Sequence, residues 1–239
     1  YTRKIEFLVD GHYKLGKIEI GPWYKWISGN QLEQTRLRFD LGTTTKFSKQ
    51  LRLYGYLAYG IKDKQFKENI GLTYKVKDIK GLSTEFSFLK DLDNGRVHFS
   101  EEDITTDNIF SQLFRRPGIP QKFLGLEEVK LSINKDWESG ISNNLIINRT
   151  DYITYNPLPS KKDFTDGDIV NTNFLFRFRY APGEKKLETN RRKIRFKGNK
   201  PIYEFNISKA ASGIWGSKYN YTKLHGSISQ KLRIPNFGI

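Results

Sequence analysis

The sequence predicts an all-β fold, an antiparallel transmembrane β-barrel with about ten strands in this chain, and three observations carry that reading. Apolar and polar residues alternate with period two along nearly the whole chain, the pattern of strands with one greasy and one polar face. Several alternating stretches can run beyond ten residues, against roughly five or six for ordinary strands and about nine to eleven for tilted membrane strands. Short and long connections also alternate, as periplasmic turns and outer loops do in membrane barrels.

Taken in order, the first expected strand is 18–26. In the next, Leu37, Phe39 and Leu41 alternate with Arg36, Arg38 and Asp40. Strands are then expected at 51–59, 70–76 and 86–88. In the clearest case Val129, Leu131, Ile133 and Trp137 stand against Glu128, Lys130, Ser132, Asn134 and Asp136. The remaining strands are 141–147, 174–180, 202–207 and 224–234. Short connections fall at 48–49, 78–82 and 139–140, and the linkers 28–34, 61–67, 91–122 and 156–169 lie between them. Segment 182–199 breaks the parity, because it holds a short-turn position yet is long and very basic; by parity it faces the periplasm. Trp23, Trp26, Tyr59, Trp137, Tyr152, Tyr155, Tyr180 and Trp215 sit near strand ends, as interfacial girdles do.

Composition agrees. With tyrosine set aside and glycine counted, about 40% of the residues are apolar, below the roughly 45–50% of soluble domains. Aromatic residues nevertheless make up 14% at a mean hydropathy of -0.63, so rings are plentiful in a chain short of core-forming aliphatics. No apolar run approaches the roughly 20 residues of a membrane-spanning helix. Cysteine is absent, which removes disulfides, thiolate metal sites and cysteine nucleophiles. The net charge of +15 suits nucleic-acid phosphates and lipid phosphates equally.

The densest basic stretch comprises Lys185, Lys186, Arg191, Arg192, Lys193, Arg195 and Lys197, with Lys200 beyond. It reads first as a solvated loop, second as a lipid-phosphate or other anion contact. The alternating polar face, including Arg36, Arg38, Lys130, Asp136, Arg177 and Arg179, is expected to line a lumen, where mixed charges pair and plug. Glu101, Glu102 and Asp103 read as a solvated acidic loop ahead of a calcium site. Glu127 and Glu128 are strand neighbours that point to opposite faces, so they are no acid–base pair. His12, His98 and His225 stand alone, without a second ligand at metal spacing, and no metal or cofactor is expected.

Segments IGPWYKWISGNQLEQTRLRFDLGTTTKFSKQLRLYGYLAYGIKDKQFKENIGLTY (20–74) and RFRYAPGEKK (177–186) resemble a Bacteroidota outer-membrane β-barrel family of unknown function. The most specific pieces are 33–38 with 43–49, then 55–64, and Phe114, Arg115 and Arg116 before Pro117. The resemblance implies a longer protein in which a carboxypeptidase-regulatory-like domain precedes the barrel. On that basis 1–239 is an internal barrel fragment, ending at Phe237, Gly238 and Ile239 without a closing strand.

The expected function is therefore a structural, assembly or transport role in the bacterial outer membrane, without enzymatic activity. The expected partners are outer-membrane lipid, lipopolysaccharide and other envelope subunits, and no nucleic acid. The alternative is a secreted all-β module that binds acidic polysaccharide or nucleic acid through 185–200. A third reading, a carbohydrate-active enzyme, requires Asp136 or Asp40 to stand beside another carboxylate in an open cleft.

Overall fold

The computed structural model describes residues 7, 11–30, 32–93, 124–153, 169–189, 191, 193–196 and 198–230. The strands are Tyr13–Leu15 (β1), Ile18–Ile20 (β2), Ile27–Ser28 (β3), Arg36–Thr43 (β4), Leu51–Gly60 (β5), Phe66–Lys75 (β6) and Leu82–Asp93 (β7). They continue with Leu124–Asp136 (β8), Ile141–Ile153 (β9), Ile169–Tyr180 (β10), Lys185–Glu188 (β11), Lys193–Phe196 (β12), Ile202–Ala210 (β13) and Tyr221–Ser229 (β14). All but β11 and β12 form one antiparallel sheet in the order β1-β2-β4-β5-β6-β7-β8-β9-β10-β13-β14, with β3 paired to β4. The fold is thus all-β, as the alternation predicts. Among the described residues β1 and β14 are the sheet's edges.

The sheet's central strands are long, with 12 to 13 residues in each of β7 to β10. Turns 137–140 and 76–81 are short because Gly140 (φ 87) and Gly81 (φ 78) accept a left-handed backbone that a side chain resists. Turns 16–17, 44–50, 76–81 and 137–140 all lie at one end of the sheet, here the turn end. Connections 61–65, 94–123, 154–168 and 211–220 join strands at the other, the loop end. At the turn end Lys80 and Glu138, both exposed, pair at 2.5 Å, and that hydrogen bond and its Coulomb attraction hold the Glu138 carboxyl below its ordinary value.

Three expectations need correction. The strand expected at 18–26 stops at Ile20, because Pro22 has no N–H for a ladder, and Trp23–Lys25 coils into a 3-10 turn. The linker expected at 61–67 ends earlier, since Phe66 and Lys67 already pair in β6. Segment 182–199 is no solvated loop: β11 and β12 pair within it as a hairpin. The expected loops near 91–122 and 156–169 fall largely outside the described residues, as do Tyr155, His98, Glu101, Glu102, Asp103 and the end of the strand expected at 224–234.

Register sorts the side chains into two faces. Leu53, Leu57, Leu72, Phe86, Phe88, Val129, Leu131, Ile133, Leu145, Ile147, Phe174, Phe176, Phe205, Ile207 and Leu224 share one face through in-line pairs. Many of these apolar residues are exposed, Leu57 at 50% and Leu224 at 67%. Buried side chains are instead largely polar, among them Glu19, Glu33, Asp40, Lys67, Ser87, Ser132, Thr150 and Thr172. This inverts the soluble pattern, in which large apolar residues fill the interior and polar ones are mostly exposed.

On the apolar face a row of charges, Glu68, Lys90, Glu127 and Asp151, runs in direct register across β6 to β9, with Lys90 and Glu127 2.6 Å apart. Lys135, its ammonium 4.8 Å from the Trp137 ring, marks the opposite end of β8. The eight-residue interval from Glu127 to Lys135 spans about 27 Å at 3.4 Å per residue. The stacked rings of Tyr180 and Tyr203, 6.2 Å apart, lie at the same turn end.

On the polar face Tyr54 lies over its cross-strand partner Gly71, where an added Cβ would collide with the ring, and its hydroxyl donates to Glu85 Oε1 at 2.9 Å. Gly71→Val is expected to displace the ring and cost about 1–3 kcal/mol, the usual penalty of overpacking. Urea unfolding followed by tryptophan fluorescence measures this. The same substitution on a Tyr54→Ala background should cost much less.

Candidate functional site

The polar face carries two ionic constellations, one at each end. At the loop end, Lys67 on β6 is fully buried between Glu33, whose Oε1 lies 2.7 Å from its ammonium, and Asp63 of the β5–β6 turn. Gly60 makes room for this cluster, since a Cβ there would meet Asp63, Glu33 and the Lys67 ammonium. Next to it Arg36 grips Asp91 of β7 through two parallel hydrogen bonds of 2.7 and 2.6 Å, and the Tyr56 hydroxyl donates to the same carboxylate. Arg38 chelates Asp40 through Nε and lies 3.5 Å over the Tyr56 ring. A carboxylate on β7 is thus tied to residues on β4 and β5 across the concave side.

At the turn end the focus is Asp136, the last residue of β8. Its Oδ1 accepts from Ser142 at 2.6 Å and from the Lys186 ammonium at 3.0 Å, and its Oδ2 accepts from Lys193 at 2.6 Å. Lys186 belongs to β11 and Lys193 to β12, so one carboxylate holds both strands of the hairpin. The hairpin's base is fixed by Arg179, which donates to Glu184 at 2.6 and 2.7 Å and to Glu204 at 2.9 Å.

Farther along, Glu188 pairs with Lys75 of β6 at 2.7 Å, and Arg191 lies 3.9 Å from Glu19 of β2. From its base at β10 the hairpin therefore meets β8, then β6, then β2, each time on the polar face. Seven inter-strand steps separate β10 from β2, about 34 Å on a flat sheet at 4.8 Å per step. The eleven residues from Tyr180 to Arg191 can cover that distance when extended, at about 3.3 Å each; curvature shows instead in Arg36 and Asp91, whose side chains meet across the three steps from β4 to β7, about 14 Å on a flat sheet and more than the two side chains span. The polar face is therefore concave, and the hairpin crosses it as a strap. Alternation within the hairpin turns Lys186, Glu188, Lys193 and Arg195 toward the wall, and Lys185, Leu187 and Phe196 away from it.

The sequence-picked residues are placed as follows. Arg36, Arg38, Lys130, Asp136, Arg177 and Arg179 share the polar face, with Lys130 3.4 Å from Glu85 and Arg177 exposed. Among the basic residues, Lys186, Arg191 and Lys193 face carboxylates, while Lys185 is exposed on the far side of β11. Arg192 and Lys197 lie outside the described residues. Asp40 and Asp136, the carboxylates an enzyme reading requires, are bound by Arg38 and by two lysines respectively. Sequence reasoning missed Glu33, Asp63 and Lys67; the available signal was that Lys67 continues the polar parity of Asn69, Gly71 and Thr73 on β6.

No curated protein and no solved structure matches the chain. Residues 125–239, from β8 through the hairpin to the last strands, match the C-terminal domain of a family of unknown function (DUF5686), so this portion is similar to that family.

Proposed function

We propose that this chain is the wall of an outer-membrane β-barrel with a structural, assembly or transport role in a bacterial envelope. The observation that carries the reading is the inverted face pattern: exposed leucine, isoleucine, valine and phenylalanine run across the long strands between two charged boundaries, while the buried charges Glu19, Asp40 and Lys67 lie on the concave side. In lipid that outer face is at home, and neighbouring strands pair their backbones along continuous antiparallel registers. The apolar interval between Glu127 and Lys135, about 27 Å along the strand and about 19–22 Å along the membrane normal at a tilt of about 35–45°, comes near the roughly 25 Å outer band of membrane barrels. Among the described residues β1 and β14 are the sheet's edges, and on this reading they pair with further strands of this protein or of an envelope partner, because an unpaired edge in lipid costs several kcal/mol per group. A soluble module gripping phosphates through 185–200 has less support, since Lys186, Lys193 and Arg191 already face carboxylates.

The chain has no cysteine, so single introduced thiols report position cleanly. Nitroxides at Phe39→Cys, Leu131→Cys and Phe176→Cys are expected to collide freely with oxygen and little with a nickel chelate in native envelopes. Labels at Ser87→Cys and Ser132→Cys should not show that lipid signature. Equal nickel access at both sets would end the membrane reading.

A further inference from the structure

The Lys185–Phe196 hairpin has a consequence for what the concave face admits. We infer that this hairpin is a strap that closes the turn end of the polar face to small hydrophilic solutes, latched by the Asp136 carboxylate; this rests on the barrel reading above. Three facts support closure. The hairpin's three anchors, Asp136 on β8, Lys75 on β6 and Glu19 on β2, all lie on the polar face at its turn end, so the hairpin lies across the mouth. Its wall-side links are ionic, whereas the half-exposed Leu187 and Phe196 lie on the side turned away. It is therefore held by a few separable ion pairs and not by a packed core, which permits release as a unit. And Asp136 binds one lysine from each hairpin strand, so one carboxylate joins both strands to the wall.

Ser132, four residues along β8 from Asp136, sits about 13 Å deeper on the same face and is 3% exposed. With Ser132→Cys as the lone thiol in the full-length protein, labelling by a charged maleimide in sheared envelopes reads access from the turn end. Asp136→Asn is expected to raise the labelling rate roughly tenfold or more, the ratio that loss of charge-assisted hydrogen bonds allows. The Lys186→Gln/Lys193→Gln pair, which leaves the wall unaltered, should do the same, and it decides the matter should Asp136→Asn fail to assemble. Unchanged labelling in a variant that leaves the envelope only with detergent overturns the strap and leaves the barrel reading standing. Release of the unsubstituted protein by carbonate overturns both.

Discussion

Arginine in place of Leu131 is expected to destabilise the protein in its membrane by about 2–4 kcal/mol, a large effect for a residue that is 38% exposed. Leu131 lies midway between Glu127 and Lys135, with Ile147 of β9 and Phe86 of β7 beside it on the same face. Were the face in water, a charge there would change stability by no more than about 0.5 kcal/mol and would improve solubility. In lipid the guanidinium must snorkel about 13 Å along the strand to reach either charged boundary, farther than its side chain extends. Urea unfolding from bilayers, read by tryptophan fluorescence, separates the two cases. A Leu131→Arg protein as stable as the unsubstituted one would contradict lipid contact at this position.

How much of this was legible beforehand differs from element to element. The face of β4 was fully legible, since Leu37, Phe39 and Leu41 occupy one side and Arg36, Arg38 and Asp40 the other in sequence and structure alike. Strand length was partly legible: 86–88 expands to Leu82–Asp93 because Ser83, Glu85 and Ser87 continue the polar parity without an apolar marker on every second residue. The break after Ile20 was readable from Pro22, whose missing N–H ends a ladder. The hairpin was hidden for a different reason. Its strands have four residues each, too few for periodicity to rise above the charges, and its pairing to Asp136 joins positions 50 and 57 residues apart. Parity placed Lys67 on the polar face, but its pairing with Glu33 was unreadable likewise, because a buried ion pair looks in sequence like two exposed charges until register brings them together.

That same pair sets the second large effect. Lys67→Met is expected to cost about 3–5 kcal/mol, because it leaves the buried Asp63 carboxylate without its cation and Glu33 with only Arg36, 3.7 Å away. The loss is not one of packing, since methionine nearly fills the lysine's volume. It comes from carboxylates that have already lost their water, with Glu33 fully buried and further bound by Asn30. Adding Glu33→Gln and Asp63→Asn to Lys67→Met removes the stranded charges and should recover most of the loss, as replacing all members of a buried ionic group often does. The comparison separates two roles for the cluster. Recovery in the triple variant, by urea unfolding, means that the charges serve one another and the β5–β6 turn is held by shape as well. A triple variant as unstable as Lys67→Met would mean instead that the ammonium itself holds Glu33 and the turn to the wall, and that the loop end of the sheet depends on an ion pair where a soluble protein would use a core.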